Sequence, residues 1–202
     1  MERSRTTRAA LAACIAFIVT AAVAAPAHAG VLTKSATDCG TPTLTQPFKP
    51  WLDSSYYKPV DGGSFENGAE GWTLSGGARV VAGNTTRRDG SRSLLLPAGA
   101  SATTPPVCVG LDEPTLRYFG KAGSLLSTLT VSVHVQLELG IWVTLPVGVD
   151  LGTSWQPSLP HLVVANLLPL FPPDMTAVRF TFKPLVGSFS IDDVFVDPRM
   201  RH

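Results

Sequence analysis

Between Leu129 and Leu139 every second residue is aliphatic. Leu129, Val131, Val133, Val135, Leu137 and Leu139 alternate with Thr130, Ser132, His134, Gln136 and Glu138. Strict period two over this span describes a strand with one face in a core and the other turned to polar surroundings, and it excludes an amphipathic helix. The alternation resumes after Gly140, with Ile141, Val143, Leu145 and Val147 on the apolar side and Trp142 and Thr144 on the other. A hairpin turning near Gly140 fits this pattern, and it puts His134, Gln136, Glu138 and Trp142 on one face.

The surrounding chain reads as short strands and turns. Phe65 begins a strand that Asn67-Gly68 turns. Trp72 to Leu74, Ala78 to Val81 and Ser93 to Leu96 follow, separated by Gly76-Gly77 and Asp89-Gly90. Ala102 to Val109 reads as a strand at an edge or with a break, because Pro105 and Pro106 cannot donate to a ladder. Val178, Phe180 and Phe182 alternate with Arg179, Thr181 and Lys183, and Ile191, Val194 and Val196 close the set. No convincing three-turn helix and no internal repeat occurs. The expected fold is all-β.

The first residues have the pattern of an export signal. Arg3, Arg5 and Arg8 precede an apolar stretch from Ala9 to Ala25, and Ala27-His28-Ala29 supplies a small-x-small cleavage pattern. The expected product is a secreted, extracellular chain starting at Gly30. After residue 29 the charge is nearly balanced, 13 Lys and Arg against 14 Asp and Glu, with no basic stripe of the kind nucleic acid requires. Cys14 leaves with the signal, so Cys39 and Cys108 remain. An even pair in an exported protein most simply forms a disulfide, which in the chain-entropy model contributes up to ~4 kcal/mol.

Residues 30–59 are expected to form an extended arm. Pro42, Pro47, Pro50 and Pro59 oppose a helix. Phe48, Trp51, Tyr56 and Tyr57 are expected to pack on the body of the domain, with Cys39 as the staple. The organisation is therefore a signal at 1–29, an arm at 30–59, a sandwich domain at 60–198 and a tail at 199–202.

Several phrases in order carry a family likeness. They are Gly-Ser-Phe-Glu-Asn-Gly at Gly63–Gly68 with Gly71-Trp72, then Asp-Gly-Ser-Arg-Ser-Leu from Asp89, Ser-Trp-Gln from Ser154, Val-Arg-Phe-Thr-Phe from Val178 and Ile-Asp-Asp-Val from Ile191. From about Val60 to Asp197 the chain resembles the galactose-binding-like jelly rolls, and among them the carbohydrate-binding modules attached to secreted glycanases. The whole chain also resembles small secreted actinobacterial proteins. The likeness implies an antiparallel jelly-roll β-sandwich whose first and last segments lie side by side. Such modules usually accompany a catalytic domain, for which these 202 residues leave no room.

The likeness also implies a structural calcium, with Glu66, Asp89 and Asp192 or Asp193 as ligands and backbone carbonyls near Ser64 and Arg92. Hard oxygens from distant segments suit that ion; the alternative is that these acids cap turns or face solvent. A sugar platform is the second candidate. Trp142 would stack on pyranose rings while His134, Gln136 and Glu138 bond hydroxyls. The plainer reading of Trp142, cover from the arm or a second sheet, is preferred because Trp is usually well buried. Trp51, Tyr56 and Tyr57 are read as anchors of the arm before groove residues.

Catalysis has little support. Glu138 and Asp150 are the only carboxylates near the central strands and form no Glu-x-Glu pair. His161 has no evident Asp and Ser partners, and no nucleophile elbow, zinc motif or phosphate loop occurs. Asn84-Thr85-Thr86 matches a glycosylation sequon and marks an exposed loop. The leading expectation is a non-catalytic binding module for an extracellular or cell-wall glycan. The alternative is a cell-envelope structural or interaction protein without a small ligand.

Overall fold

A computed structural model describes Thr33, Ala36 and residues 39–41, 43–84, 90–110, 115–137, 140–163 and 175–197. The expected signal, Asp89, Glu138, the sequon threonines and the tail at 199–202 lie outside the described residues. The strands are β1 (Lys58–Pro59), β2 (Thr73–Ser75), β3 (Arg79–Ala82), β4 (Arg92–Leu96), β5 (Ser101–Thr103), β6 (Val107–Val109) and β7 (Thr115–Ala122). They continue with β8 (Thr128–Gln136), β9 (Trp142–Asp150), β10 (Gln156–Pro157), β11 (His161–Leu162), β12 (Thr176–Val186) and β13 (Phe189–Val196). No α-helix occurs among the described residues.

These strands form two antiparallel sheets. The seven-stranded sheet runs β10-β7-β13-β4-β3, with β1 added on β13 and β11 on β7. The six-stranded sheet runs β2-β5-β12-β8-β9, with β6 added on β12. Their inner faces meet through Leu94, Leu96, Tyr118, Leu129, Val131, Val133, Phe180, Phe182 and Ile191, all buried. Each such side chain removed from water stabilises the fold by about 1.5–3 kcal/mol before conformational entropy is counted. The strict alternation along β8 appears as alternating burial, and the hairpin to β9 turns at Gly140, whose φ of 77° suits glycine.

The first and last segments do lie side by side, although the pairing begins earlier than the sequence suggests. Lys58 and Pro59 pair with Val196 and Phe195, and the Val60 amide donates to the Val194 carbonyl at 2.9 Å. Phe65 does not begin a strand. It sits at φ 58° in a run of turns, with its ring buried edge-on against Trp72 at 5.0 Å between centroids. Apolar character placed Phe65 in the core, and Asn67-Gly68 and Gly62-Gly63 around it set the turn. The stretch from Ala102 to Val109 is broken at residues 104–106, where the two prolines stand, and both halves pair with β12.

The outer face of the seven-stranded sheet is covered by the arm. Phe48, Tyr57, Phe119 and Phe195 form a second buried cluster, with Trp51 packed at its edge 5.1 Å from the Phe119 ring. This explains why β7 shows no alternation in sequence: Leu116 and Tyr118 enter the main core, while Arg117 and Phe119 are buried under the arm. Arg117 fastens the arm through Asp53. It also donates to the Tyr57 hydroxyl at 3.3 Å and to the Ser158 carbonyl at 3.1 and 3.2 Å, and lies 4.0 Å over the Phe48 ring. Cys39 and Cys108 are disulfide-bonded with Cα atoms 5.7 Å apart. The arm is not wholly extended. Lys49–Trp51 make one 3-10 turn, which Pro50 tolerates because it stands in the first turn, where an amide has no intrahelical partner.

Candidate functional site

The outer face of the six-stranded sheet is open and rich in hydroxyls. Backbone register aligns Thr73, Thr103, Thr181, Ser132 and Pro146 across five strands. The neighbouring row holds Arg179, His134 and Thr144, and Gln136 stands opposite Trp142. Side chains knit these rows together. The Thr103 and Thr181 hydroxyls are 2.7 Å apart, Thr181 lies 2.8 Å from His134 Nε2, and His134 Nδ1 lies 2.8 Å from the Thr144 hydroxyl. Ser75 and Ser101 add a further pair at 2.8 Å. Partial burial, helped by the nearby Arg179 charge, holds the His134 imidazole below its usual pKa and so favours its neutral form.

Trp142 sits at the edge of this face and is 53% exposed. Among the described residues neither the arm nor the second sheet covers it, so the preferred expectation of a covered Trp142 is corrected. The Phe48–Tyr57 part of the arm rests on the opposite sheet, fixed there by Arg117, while the disulfide ties Cys39 to Cys108 on β6. His134, Gln136 and Trp142 come together as their shared parity suggests. Thr144 joins them across the same hairpin, and Arg179, Thr181, Lys183 and Thr103 come from strands whose adjacency no local pattern reveals. The polar parity of Arg179, Thr181 and Lys183 was visible; the placement of β12 beside β8 was not.

A second polar group lies inside the sandwich. Tyr118 bonds the Asp150 carboxylate, which also sits 2.6 Å from His161 Nε2, and the Tyr118 hydroxyl lies 3.4 Å from that nitrogen. His161 is therefore not partnerless, contrary to the sequence expectation. The cause is a bulge at Val147, where the partner shifts from Pro146 opposite Ser132 to Gly148 opposite Val131. The slip turns Gly148 and Asp150 inward, and a side chain at Gly148 would collide with the His161 ring. Burial, then the Asp150 charge, pushes the Tyr118 hydroxyl well above its usual pKa. The three groups saturate one another between β7, β9 and β11, and they brace the two sheets.

Of the expected calcium ligands, Glu66, Asp192 and Asp193 are among the described residues. Glu66 Oε1 accepts the Ser91 and Arg92 amides at 2.8 Å each, and Oε2 accepts the Ser91 hydroxyl at 3.2 Å. The two amides hold its carboxyl below the usual range. Asp192 and Asp193 are buried on β13, and the Asp193 amide donates to Asp192 Oδ1 at 2.9 Å. Asp193 lines a depression of about 350 Å³ with Gly62, Gly63 and Ser64. Among the described residues no group of three or more His, Cys, Asp or Glu side chains is placed to hold a metal. A larger cleft of about 480 Å³ lies nearby, between the Cys39–Thr43 segment, Lys58–Asp61 and Pro106–Cys108.

No protein-family model matches the chain, and no curated protein does. Solved structures do share its fold. The CBM22-1 and GH10 modules of Clostridium thermocellum endo-1,4-beta-D-xylanase 10B, complexed with xylohexaose, are similar with a TM-score of 0.50 at 16% identity, over 71% of this chain and 28% of that one. A xylan-binding domain of CBM22 is similar at a TM-score of 0.48 and 19% identity, over 72% of this chain and 96% of that one. The CBM22-1 xylan-binding domain of Paenibacillus barcinonensis Xyn10C gives 0.48 at 18% identity, over 66% and 90%. At such identities the likeness is one of fold: this chain is an antiparallel β-sandwich of the jelly-roll kind found in carbohydrate-binding modules.

Proposed function

We propose that this chain is a secreted, non-catalytic module that binds an extracellular or cell-wall glycan on the outer face of its six-stranded sheet. The observation that carries the reading is Trp142, half exposed and directly across from Gln136, beside the His134–Thr181–Thr144 network. An indole plate stacks on the apolar face of a pyranose ring. The Gln136 amide and the Arg179 guanidinium supply donors for ring hydroxyls, and Gln136 also accepts. Because the threonine and histidine side chains are already bonded to one another, little side-chain entropy is lost when a ligand settles on them.

The alternative, an envelope protein that spends its aromatics on packing, describes the other sheet well. Phe48 and Tyr57 are buried there and Trp51 leans on Phe119. It leaves the exposure of Trp142 without a purpose. A glycan array probed with the purified chain tests the reading: retention on a defined set of glycans is expected, and silence across the array overturns it.

A structural calcium, held by Glu66, Asp89 and Asp192 or Asp193, belongs to the same proposal. Its support is that Glu66 already ties its own loop to the Ser91–Arg92 turn, and that Asp193 lines one depression with Ser64. A melting temperature raised by calcium and lowered by EDTA is expected; identical melts in both remove the ion from the proposal.

A further inference from the structure

Among the described residues, one end of the sandwich is apolar and carries no outward-facing carboxylate. The strand ends that define it are tied in register: Leu96 and Ala122 both flank Phe189, Val186 pairs with Thr128, Asp150 with Leu129 and Ser75 with Ser101. The connections leaving these ends are residues 76–78, 97–100, 123–127, 151–155 and 187–188. They touch through the Ala122 amide on the Gly152 carbonyl at 2.6 Å and the Gly123 amide on the Ser188 carbonyl at 2.9 Å. Leu125 and Leu126 stand out at 87% and 79% exposure, with Leu185 at 70% beside them, and Leu151, Val149 and Val186 are also exposed.

None of these five connections contains Asp or Glu. The single carboxylate at this end, Asp150, is turned inward onto Tyr118 and His161. Three exposed cations lie on the strands that end here, Lys121 on β7, Lys183 on β12 and, at the sheet edge, Arg79 on β3. A folded chain has no use of its own for protruding leucines collared by uncompensated positive charge, and a large exposed apolar patch rimmed by polar groups marks a surface of interaction.

We propose that this end docks on the surface of an anionic lipid bilayer. The leucines reach the boundary between headgroups and acyl chains, while Lys121, Lys183 and Arg79 lie against anionic headgroups. Leu125 and Leu126 are neighbours on one loop, with Leu185 and Val186 at the end of β12 and Val149 and Leu151 at the end of β9. The exposed charge described at this end is of one sign, which favours a uniformly negative bilayer surface over a protein partner. Binding strength at such an interface follows buried apolar area together with electrostatic attraction. This surface meets the glycan face at Lys183 on β12, but Leu125 and Leu126 lie on the β7–β8 loop and not on that face, so L125S/L126S tests the docking reading separately from glycan retention.

The test is co-sedimentation of the full chain with vesicles of phosphatidylcholine alone or of a mixture rich in phosphatidylglycerol. Sedimentation with the anionic vesicles is expected. L125S/L126S is expected to weaken it by roughly tenfold or more, and K121E/K183E to abolish the preference for anionic lipid. The control is L52S, at a fully exposed leucine on the arm end, which should bind as the parent does. A thermal melt of each variant checks that it is folded. The proposal is overturned if the parent stays in the supernatant with both vesicles, or if L125S/L126S binds as the parent does. It is also overturned if the parent is a dimer by light scattering that these leucine changes dissociate and no vesicle binding occurs; the tip would then belong to a second copy.

Discussion

The two outer faces of this sandwich come from the same kind of sheet and have opposite fates. Over the seven-stranded sheet lies the arm, with Phe48, Tyr57, Phe119 and Phe195 closed into a dry cluster and Arg117 held between Asp53 and Ser158. Over the outer face of the six-stranded sheet no described segment packs, and His134, Thr144, Thr181, Gln136 and Trp142 remain at the surface. A sandwich has two outer faces on which a ligand could settle. Here the arm removes one of them, so its resting place decides which face is left for binding.

The sharpest way to break this contrast is to unseat the arm. Phe48 is fully buried with three aromatic rings within 5.6 Å of its own. Phe48→Ala is expected to cost about 3–5 kcal/mol in urea unfolding, and an effect below about 1 kcal/mol would mean that the arm adds little to the fold. Next in size is the staple. Cys39 and Cys108 are 69 residues apart, and replacing both by Ser is expected to cost about 2–4 kcal/mol. Because Cys39 precedes the arm cluster, the double variant should also raise protease sensitivity before Tyr57, read by mass spectrometry of early fragments.

The covered face was the harder one to read from sequence. Alternation disclosed β8, the hairpin to β9 and β12, because each of these strands has one wet side. It failed for β7, where Arg117 and Phe119 are buried beneath the arm and Leu116 and Tyr118 in the core. A strand buried on both faces has no period to find. Of the site, the shared parity of His134, Gln136 and Trp142 was legible. The exposure of Trp142 was not, since it depends on where the arm comes to rest. The Tyr118–Asp150–His161 group was hidden for another reason: one extra residue at Val147 reverses the parity of β9, which no local pattern signals.

Acid should act on the covered face through Asp53. Burial raises the pKa of this carboxyl, but the hydrogen bonds from Tyr57 and Ser55 and the Arg117 charge outweigh it, so the group titrates below its ordinary range. The Tyr57 hydroxyl, also buried and bonded to Asp53, is pushed up to about 12 and stays protonated throughout. A carboxylate with a depressed folded pKa stabilises the fold above its unfolded value, and that contribution is lost as pH falls through the folded value. Stability should therefore decline on the acid side of the ordinary aspartate range. In Asp53→Asn that part of the decline should be absent, with lower stability already at neutral pH, as followed by urea midpoints across pH. A variant whose acid profile overlays the parent's would remove Asp53 from the account.

The smallest expected effect on stability is on the open face, where it separates most cleanly from function. Trp142 is as large an aromatic as any in the arm cluster, yet it is half exposed and paired across the ladder only with Gln136. Trp142→Ala should change stability by no more than about 0.5–1 kcal/mol, the range of surface sites and single cross-strand pairs. It should nonetheless remove most of the retention on whichever glycan the parent binds. Phe48→Ala should do the reverse, with a large loss of stability and, at temperatures where the variant is still folded, unchanged retention. If Trp142→Ala instead unfolds the chain, that indole is structural and the open face is not a sugar platform. If both variants lose binding equally while folded, the arm and the open face are not independent, and the two faces must be coupled through β13, β7 and the core between them.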